Sequence, residues 1–459
     1  MKILSTQQQA PALPAVEIHL IQAMVMLFAI FSLLPYGISW DYAGTSALTM
    51  EGSLTTKLEW GSLILVALYV LYRNLPVARQ DLRAINPFLL LVLLWCLLSS
   101  LWSPLAGVSF KRAIQLYGIV LIGLSIQLAP QPLHLIVTAL LRVLMGMLLL
   151  SLVMALAFPS IGIDYELGNA WRGALSQKNE LGQVAAMALL LWQVKACMER
   201  IDSKFLGAAL LFSFFMLIMS KSSTSLLIAL STSAVFHLFR KRRLSSDYSL
   251  TRILLSLLCL ILLMLYAFYL QESRFPTWPE VSAPIASLFG KGSDLTGRTD
   301  IWNLVWLEIH RHWVIGLGYG AFWLGPDSLS QYVISALNWI PLQSHNGYLD
   351  ILNEQGLIGL GGTVLVLLTQ ARQLAIMAHG DRLQAAFWSA MLLVVVVTNF
   401  TESSLFRGFG FQNVFFIFAL VASTCVNRRL SAANADPEPT QVVRPSGRIN
   451  RPAAARPRA

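Results

Sequence analysis

The sequence predicts an all-α protein that crosses a membrane many times. Of its 459 residues, 56% are hydrophobic and only 12% are charged, and the mean hydropathy is +0.64. A soluble globular domain carries about twice that charged fraction. Apolar runs of the ~20 residues that a helix needs to cross a bilayer recur along the whole chain. We therefore expect a polytopic membrane protein with about 12 transmembrane helices.

The apolar runs place these spans in order along the chain. The first run is not followed by a small-residue cleavage site, so we expect it to be kept as a helix. The predicted spans lie near 18–38, 57–76, 87–104, 113–129, 133–158, 180–197, 205–221, 223–239, 251–270, 356–376, 385–400 and 411–427.

Lysine and arginine residues cluster in alternate predicted loops, as they do in the short cytoplasmic loops of membrane proteins. If both termini are cytoplasmic, all of these clusters face the cytoplasm. The connections 159–179 and 271–355 then face outward, and 271–355 is the larger of the two. The clusters lie at 79–83, 200–204, 240–243, 372–382 and 428–429.

The net charge of +10 does not indicate nucleic acid as a partner. Much of it belongs to these loops and to a basic tail, 428–459, which has too few apolar residues to fold and is expected to be disordered near anionic headgroups. The rest of the chain divides into N-terminal transmembrane helices, 1–164, and a membrane domain, 165–427, that includes the loop 271–355. The cysteine spacing suggests neither disulfides nor zinc, and no Asp-x-Asp occurs in a predicted outer loop.

A second set of cations lies on the predicted outer side, against the usual charge bias. Positive charge kept there suggests an anionic ligand. The alternative is that these side chains extend to lipid phosphates. The set consists of Lys111, Arg112, Arg172, Lys178, Lys221, Lys291, Arg298, Arg311 and Arg407.

Arg172 directly precedes a predicted span, together with Gln177, Lys178 and Asn179. A cation and polar amides at the start of a helix can hold a phosphate through guanidinium contacts and backbone N–H groups. Lys221 lies in a serine-rich turn between two spans, where the neighbouring hydroxyls could equally serve as helix caps.

Arg298 begins a pattern in which Ile301, Val305 and Ile309 share one apolar face, so we expect an amphipathic helix in the outer membrane interface. The glycine-rich segment that follows, 316–323, ends in Trp323. Aromatic rings beside flexible backbone suit stacking on sugar rings, although a membrane-interface belt explains them as well.

His345 precedes an amphipathic run that continues into the span starting at Gly356. An imidazole in this position can accept a proton from a hydroxyl at neutral pH. His345 and Asn346, then nine intervening residues, then the segment 356–359 (Gly-Leu-Ile-Gly) resemble the signature of the bacterial O-antigen ligase and polymerase superfamily.

The resemblance covers residues 165 to 410. It includes Arg172 before an outward-facing helix, the Gly297-Arg298 segment and the glycine repeat 316–320, in the same order and spacing. The segments 318–323, 345–350 and 401–403 look most similar to the exopolysaccharide polymerase branch.

This resemblance implies a GT-C-like glycosyltransferase of the bacterial inner membrane. Because no Asp-x-Asp occurs in a predicted outer loop, we expect arginine to take the place of a divalent metal, and we expect no cofactor. The enzyme would take a glycan from undecaprenyl diphosphate at the periplasmic face and pass it to a sugar hydroxyl of a growing polysaccharide. A flippase and a chain-length regulator are the implied protein partners. The implied catalytic residues are Arg172 and Arg298 on the diphosphate and His345 as the base, and the implied substrate-binding residues are Lys178, Asn179, Lys221, Asn346, Glu402 and Trp323.

Two other functions remain open at this point. A ligase would use the same donor with lipid A-core as the acceptor. A transporter or flippase would bury ionisable residues near the middle of the bilayer or show paired broken helices. Arg142 is the only clear charge that we place near the middle of a predicted span.

Overall fold

A computed structural model describes residues 13–33, 54–165, 167–241 and 298–435. Helices dominate this part of the chain. The predicted span 251–270, the first part of the loop 271–355 and the tail after residue 435 lie outside the described residues. The predicted disordered tail, 428–459, is wrong in its first part, because a helix continues to Ala435. The described helices are α1 (Ala15–Leu33), α2 (Leu54–Arg73), α3 (Leu75–Ala84), α4 (Pro87–Leu98), α5 (Ala106–Gln127), α6 (Pro132–Ala157), α7 (Lys178–Met198), α8 (Ser203–Met219), α9 (Ser223–Lys241), α10 (Arg298–His312), α11 (Gln331–Leu337), α12 (Gly347–Gly380), α13 (Arg382–Thr398) and α14 (Phe411–Ala435).

Every predicted span that falls on described residues coincides with a helix. Six of these helices, namely α1, α5, α6, α7, α12 and α14, are long and apolar enough to cross a membrane by themselves. The α2 and α3 helices meet the same test only as one pair that is bent by 108°. The α4, α8 and α13 helices are apolar but shorter. The prediction of an all-α polytopic membrane protein is therefore confirmed, while the count of about 12 spans stays a prediction.

The described residues contain one small β-sheet, in the predicted outer connection 159–179. Two-residue strands, Ile163–Asp164 and Ala170–Trp171, pair antiparallel after a single helical turn. The backbone N–H groups of Arg172 and Gly173 both donate to the carbonyl of Gly162, at 3.0 and 2.9 Å. These bonds close the hairpin and fix Arg172 at its base.

Five helix termini meet at one end of the bundle, which we call the site end. They are the last turns of α1 and α13 and the first turns of α7, α12 and α14. The backbone N–H of Gly347, the first residue of α12, donates to the carbonyl of Asn399, which follows α13, at 2.8 Å. An added Cβ at Gly347 would lie 1.7 Å from Asn399 Oδ1, so this contact requires glycine.

At the other end of the bundle, two arginines of α14 form ion pairs with one buried carboxylate. Arg428 Nη2 and Arg429 Nη2 lie 2.7 and 3.1 Å from the carboxylate oxygens of Asp81, which is fully buried on α3. Arg429 also donates to the carbonyl of Gln127 at the end of α5, at 2.6 Å. The two guanidinium groups, which are 26% and 37% exposed, together neutralise the buried carboxylate. The cationic loops 79–83 and 428–429 therefore meet at one end, as their alternation predicts.

The α12 helix is broken at Gly356, where the predicted span 356–376 begins. Its φ of 67° and ψ of −169° belong to a backbone region that is essentially restricted to glycine. The segment 313–318 pairs with both sides of the break: Leu357 N donates to the carbonyl of Trp313 at 2.8 Å, and Gly318 N donates to that of Glu354 at 2.8 Å. The break thus fixes the first turns of α12, which follow His345, against the segment after α10.

The α10 helix forms as predicted, and its apolar face is covered by protein. Ile301, Val305 and Ile309 are buried in a small core with Phe322 and Val333. A chain that folds back over a short amphipathic helix can satisfy the same apolar pattern as a membrane surface. Sequence periodicity alone therefore did not separate the two environments.

Candidate functional site

Three of the predicted site residues meet at the site end. His345 Nδ1 lies 2.9 Å from Glu402 Oε2, and Arg298 Nη2 lies 3.6 Å from Glu402 Oε1. The side chains of Arg298, His345 and Glu402 are 20%, 24% and 14% exposed. The three residues come from the start of α10, the turn before α12 and the loop after α13.

The contact with Glu402 fixes the tautomer of His345. An ionised carboxylate only accepts hydrogen bonds, so Nδ1 carries the proton and Nε2 is left as the proton acceptor. The backbone of His345 has a φ of 56°, a left-handed conformation that costs a residue other than glycine about 1–3 kcal/mol. The surrounding contacts hold this strained turn in place. Such strain is concentrated at functional sites.

Asn346, predicted to bind substrate, caps the α12 helix. Its Oδ1 accepts hydrogen bonds from the backbone N–H groups of Tyr348 and Leu349, each at 3.2 Å. Ser344 Oγ accepts from Asn346 N at 3.2 Å and donates to its carbonyl at 2.8 Å. The structure therefore gives Asn346 a positioning contact that fixes the turn carrying His345.

Gln343 ties the His345 turn to the loop after α13. Its Nε2 donates to Glu402 Oε2 at 2.7 Å, and its Oε1 accepts from the backbone N–H of Ser403 at 2.7 Å. Glu402 Oε2 therefore accepts from both Gln343 and His345. Sequence analysis did not single out Gln343, because a lone glutamine in a loop carries no recognisable pattern.

Asp350, on the first turn of α12, holds the other side of the site together. Its two oxygens accept from Trp323 Nε1 at 2.8 Å, Arg407 Nη1 at 2.8 Å, Ser403 Oγ at 2.5 Å and Ser344 N at 3.3 Å. Asp350 is only 4% exposed. Sequence analysis noted Arg407 as an outer cation but did not pair it with Asp350, since 57 residues separate them.

Trp323 was predicted to present an open ring to a sugar, but the structure buries it. It is 3% exposed, and its indole N–H is engaged with Asp350. The neighbouring Tyr319 and Phe322 are also buried, at 3% and 0%. The reason is the tight glycine turn, which folds these aromatic rings inward against α10 and α12. Trp323 therefore positions Asp350.

Arg298 is held in a partly desolvated position. Burial lowers the pKa of its guanidinium, and the nearby Glu402 carboxylate opposes that shift. Arginine remains protonated at neutral pH because its ordinary pKa is so high. The next turn of α10 is anchored by Trp302, whose indole N–H donates to the carbonyl of Ser344 at 2.7 Å. A fixed positive charge therefore lies beside the His345 turn.

The remaining predicted residues lie around the hairpin and the start of α7. Arg172 Nε donates to the carbonyl of Ile161 at 2.7 Å, and Lys221 Nζ donates to that of Gly168 at 2.7 Å. Asn179 Oδ1 accepts from Ser222 Oγ at 3.0 Å. Lys178 is the first residue of α7. The part of these residues in binding a diphosphate stays a prediction.

A cavity of about 300 Å³ joins the first turns of α7 to the His345 site. Its wall includes Glu402, Arg407 and Gln343 on one side, and Glu180 and Gln183 of α7 on the other. The described residues contain no group of three or more His, Cys, Asp or Glu side chains that could hold a metal ion.

Comparison with known proteins finds one family. Residues 208–364 match a protein family described as O-antigen ligase. The matched segment runs from α8 into α12 and contains Arg298 and His345, whereas Arg172 and Glu402 lie outside it. No curated protein matches the chain. The match confirms the resemblance to the O-antigen ligase and polymerase superfamily and supports a ligase or polymerase type of function in glycan assembly.

Proposed function

We propose that this chain, a member of the O-antigen ligase and polymerase superfamily, is a polysaccharide polymerase. It transfers oligosaccharide repeat units from undecaprenyl diphosphate to a growing exopolysaccharide or O-antigen chain at the periplasmic face of the inner membrane. The contact of His345 and Arg298 with the single carboxylate of Glu402 carries this proposal. A proton acceptor and a cation for an anionic leaving group lie side by side.

In the proposed reaction, the oxygen of an acceptor hydroxyl attacks the anomeric carbon of the donor glycan. The new C–O bond forms as the bond from that carbon to the diphosphate oxygen breaks. The hydroxyl proton passes to His345 Nε2, and the diphosphate leaves with the bonding electron pair. Glu402 stabilises the imidazolium that results, and Arg298 neutralises the charge that grows on the leaving group.

Arg172 is proposed as the second guanidinium on the diphosphate. Its position at the base of the hairpin, directly before α7, places it among the residues that frame the site end. Two guanidinium groups can each form bidentate contacts with phosphate oxygens. Lys178, the first residue of α7, and Lys221, which donates to the carbonyl of Gly168, are proposed to add positive charge for the donor.

The family description favours a second candidate, transfer of a finished glycan to lipid A-core by a ligase. The same residues would act on the same donor, and only the acceptor would differ. The products separate the two functions: a polymerase makes longer lipid-linked chains from repeat units alone, whereas a ligase requires lipid A-core.

The test combines polymer formation with donor binding. Lipid-linked repeat units are extracted from cells that lack this chain and are added to purified protein in detergent. We expect Arg172→Lys and Arg298→Lys to lose most polymer and to bind the donor more weakly, because an ammonium cannot reproduce the bidentate contact. We expect His345→Ala to keep donor binding while transfer falls roughly 10²–10⁴-fold.

Gel analysis of polymer from complemented deletion cells, at matched membrane levels, provides the check in vivo. Arg311→Lys, an exposed arginine at the end of α10, is the matched control and should behave like the wild type. Wild-type polymer from Arg298→Lys or His345→Ala would refute the assigned roles. Product formation only in the presence of lipid A-core would favour the ligase.

A further inference from the structure

The cavity beside the site has a chemical character that the proposed transfer does not by itself explain. Its wall carries neutral amides and hydroxyls together with two carboxylates, those of Glu180 and Glu402. The one cation on the wall, Arg407, is already paired with Asp350 at 2.8 Å. Glu402 is itself paired with Arg298 at 3.6 Å, so Glu180 is the carboxylate of the wall that an anion would face. Such a surface suits an uncharged polar ligand and disfavours an anion.

Resting on the proposed function, we infer that this cavity binds the sugar that carries the acceptor hydroxyl, and that it selects a neutral or amino sugar over a uronic acid. Amide and carboxylate groups match the hydroxyls of a sugar, which both donate and accept hydrogen bonds. The volume of about 300 Å³ lies at the small end of ligand pockets and suits a terminal sugar instead of a whole repeat unit.

The charges assign the cavity to the acceptor and not to the donor diphosphate. A diphosphate in the cavity would face the carboxylates of Glu180 and Glu402 and no unpaired cation of the cavity wall. An acceptor hydroxyl in the cavity would lie against Glu402 and Gln343, which both contact the His345 turn. His345 is therefore joined to the cavity wall by one hydrogen bond, through Nδ1.

Gln412 and Gln183 place a pair of amides in the cavity wall. Gln412 lines the cavity, is 9% exposed, and its buried Oε1 has no hydrogen-bond partner among the described residues. Its Nε2 donates to Gln183 Oε1 at 3.1 Å, so the amide pair is held in place across α7 and α14.

The test uses methyl glycosides as probes, because their binding does not depend on transfer. Saturation-transfer NMR on the purified full chain compares methyl glucoside, methyl glucosaminide and methyl glucuronide. We expect the first two to bind and the glucuronide to be excluded. Gln183→Leu and Gln412→Leu should each weaken glucoside binding about 2- to 10-fold, while Gln331→Leu, exposed at the start of α11, should leave it unchanged.

Glu180→Gln provides the sharper test, since it removes one carboxylate with little change of shape. We expect this variant to bind the glucuronide while it keeps the glucoside. Equal binding of all three glycosides by the wild type, or unchanged binding in the variants of Gln183 and Gln412, would overturn the inference. Failure of the wild type to transfer lipid-linked repeat units would instead refute the proposed function, whatever the glycosides do.

Discussion

Glu402 is a residue with two tasks in the proposed mechanism. It orients His345 through Nδ1 at 2.9 Å, and it neutralises Arg298 at 3.6 Å while no donor is bound. Arrival of a diphosphate would offer Arg298 a better partner, because phosphate oxygens accept bidentate guanidinium contacts. Glu402 would then serve His345 alone. Binding of the donor and preparation of the base are thereby linked through one carboxylate.

Because Glu402 has two roles, we expect the variant Glu402→Gln to affect donor binding and transfer differently. Glu402→Gln keeps a side chain of the same shape but removes the negative charge that stabilises an imidazolium, so we expect transfer to fall by at least about 10²-fold. Donor binding should not weaken, since Arg298 loses its competing partner. Single-turnover transfer and donor binding are measured on the same detergent preparation. Weaker donor binding in Glu402→Gln would show that Glu402 supports the fold of the donor site and not only the base.

The residues around the leaving group also predict how activity depends on metal. In the proposal, the guanidinium groups of Arg172 and Arg298 supply the positive charge that a divalent ion supplies elsewhere. The Asp350 carboxylate already accepts four hydrogen bonds from protein groups. We therefore expect transfer by the purified protein to persist in excess EDTA. Loss of transfer that Mg²⁺ or Mn²⁺ restores would contradict this expectation.

At the scale of elements, the break in α12 decides where the base is placed. A straight helix of its 34 residues would be about 51 Å long, well beyond the ~30 Å core of a bilayer. The break at Gly356 lets the first turns leave the axis of the rest. The free backbone groups at the break are bonded by the segment 313–318 and by Trp95 Nε1, which donates to the carbonyl of Gln355 at 2.9 Å.

This geometry predicts that a single methyl group at the break disrupts the site. In Gly356→Ala, the new Cβ would lie 2.3 Å from the carbonyl oxygen of Val314, in a backbone conformation that alanine does not adopt. We expect a loss of at least about 1–3 kcal/mol of stability and a larger loss of transfer. Gly361→Ala, in the same helix with open space around its Cβ, is the control and should be neutral or slightly stabilising. Thermal unfolding in detergent, with transfer measured beside it, makes the comparison, and equal behaviour of the two variants would contradict the role of the break.

Sequence patterns predicted the elements better than their contacts. Hydropathy located the helices because each span must be apolar over its own length, and that information is local. The motif around His345 and Arg298 was also local. The partners of Asp350 and Glu402 were not predictable in the same way, since Arg407 and His345 lie 57 residues from them along the chain. The inward turn of Trp323 depended on packing that no local pattern specifies.

At the scale of the whole molecule, the structure separates two ends of one bundle. The site end gathers His345, Arg298 and the cavity, while the opposite end holds Arg428 and Arg429 on the buried Asp81. The loop charges predict that the opposite end is cytoplasmic. The protein would then bind the donor diphosphate at the periplasmic membrane surface, near the depth at which lipid phosphates lie.

This sidedness predicts which introduced thiols are reachable from outside the cell. Ala336→Cys, exposed on α11, should react with an impermeant maleimide in cells whose outer membrane is permeabilised. Asn434→Cys, in the last turn of α14, should react only after the inner membrane is opened. The native cysteines are replaced first, although Cys96 and Cys425 are buried. Labelling of Asn434→Cys but not of Ala336→Cys in intact spheroplasts would show that the protein has the opposite orientation in the membrane. His345 would then lie on the cytoplasmic side, and the chain could not act on a glycan that has already crossed to the periplasm.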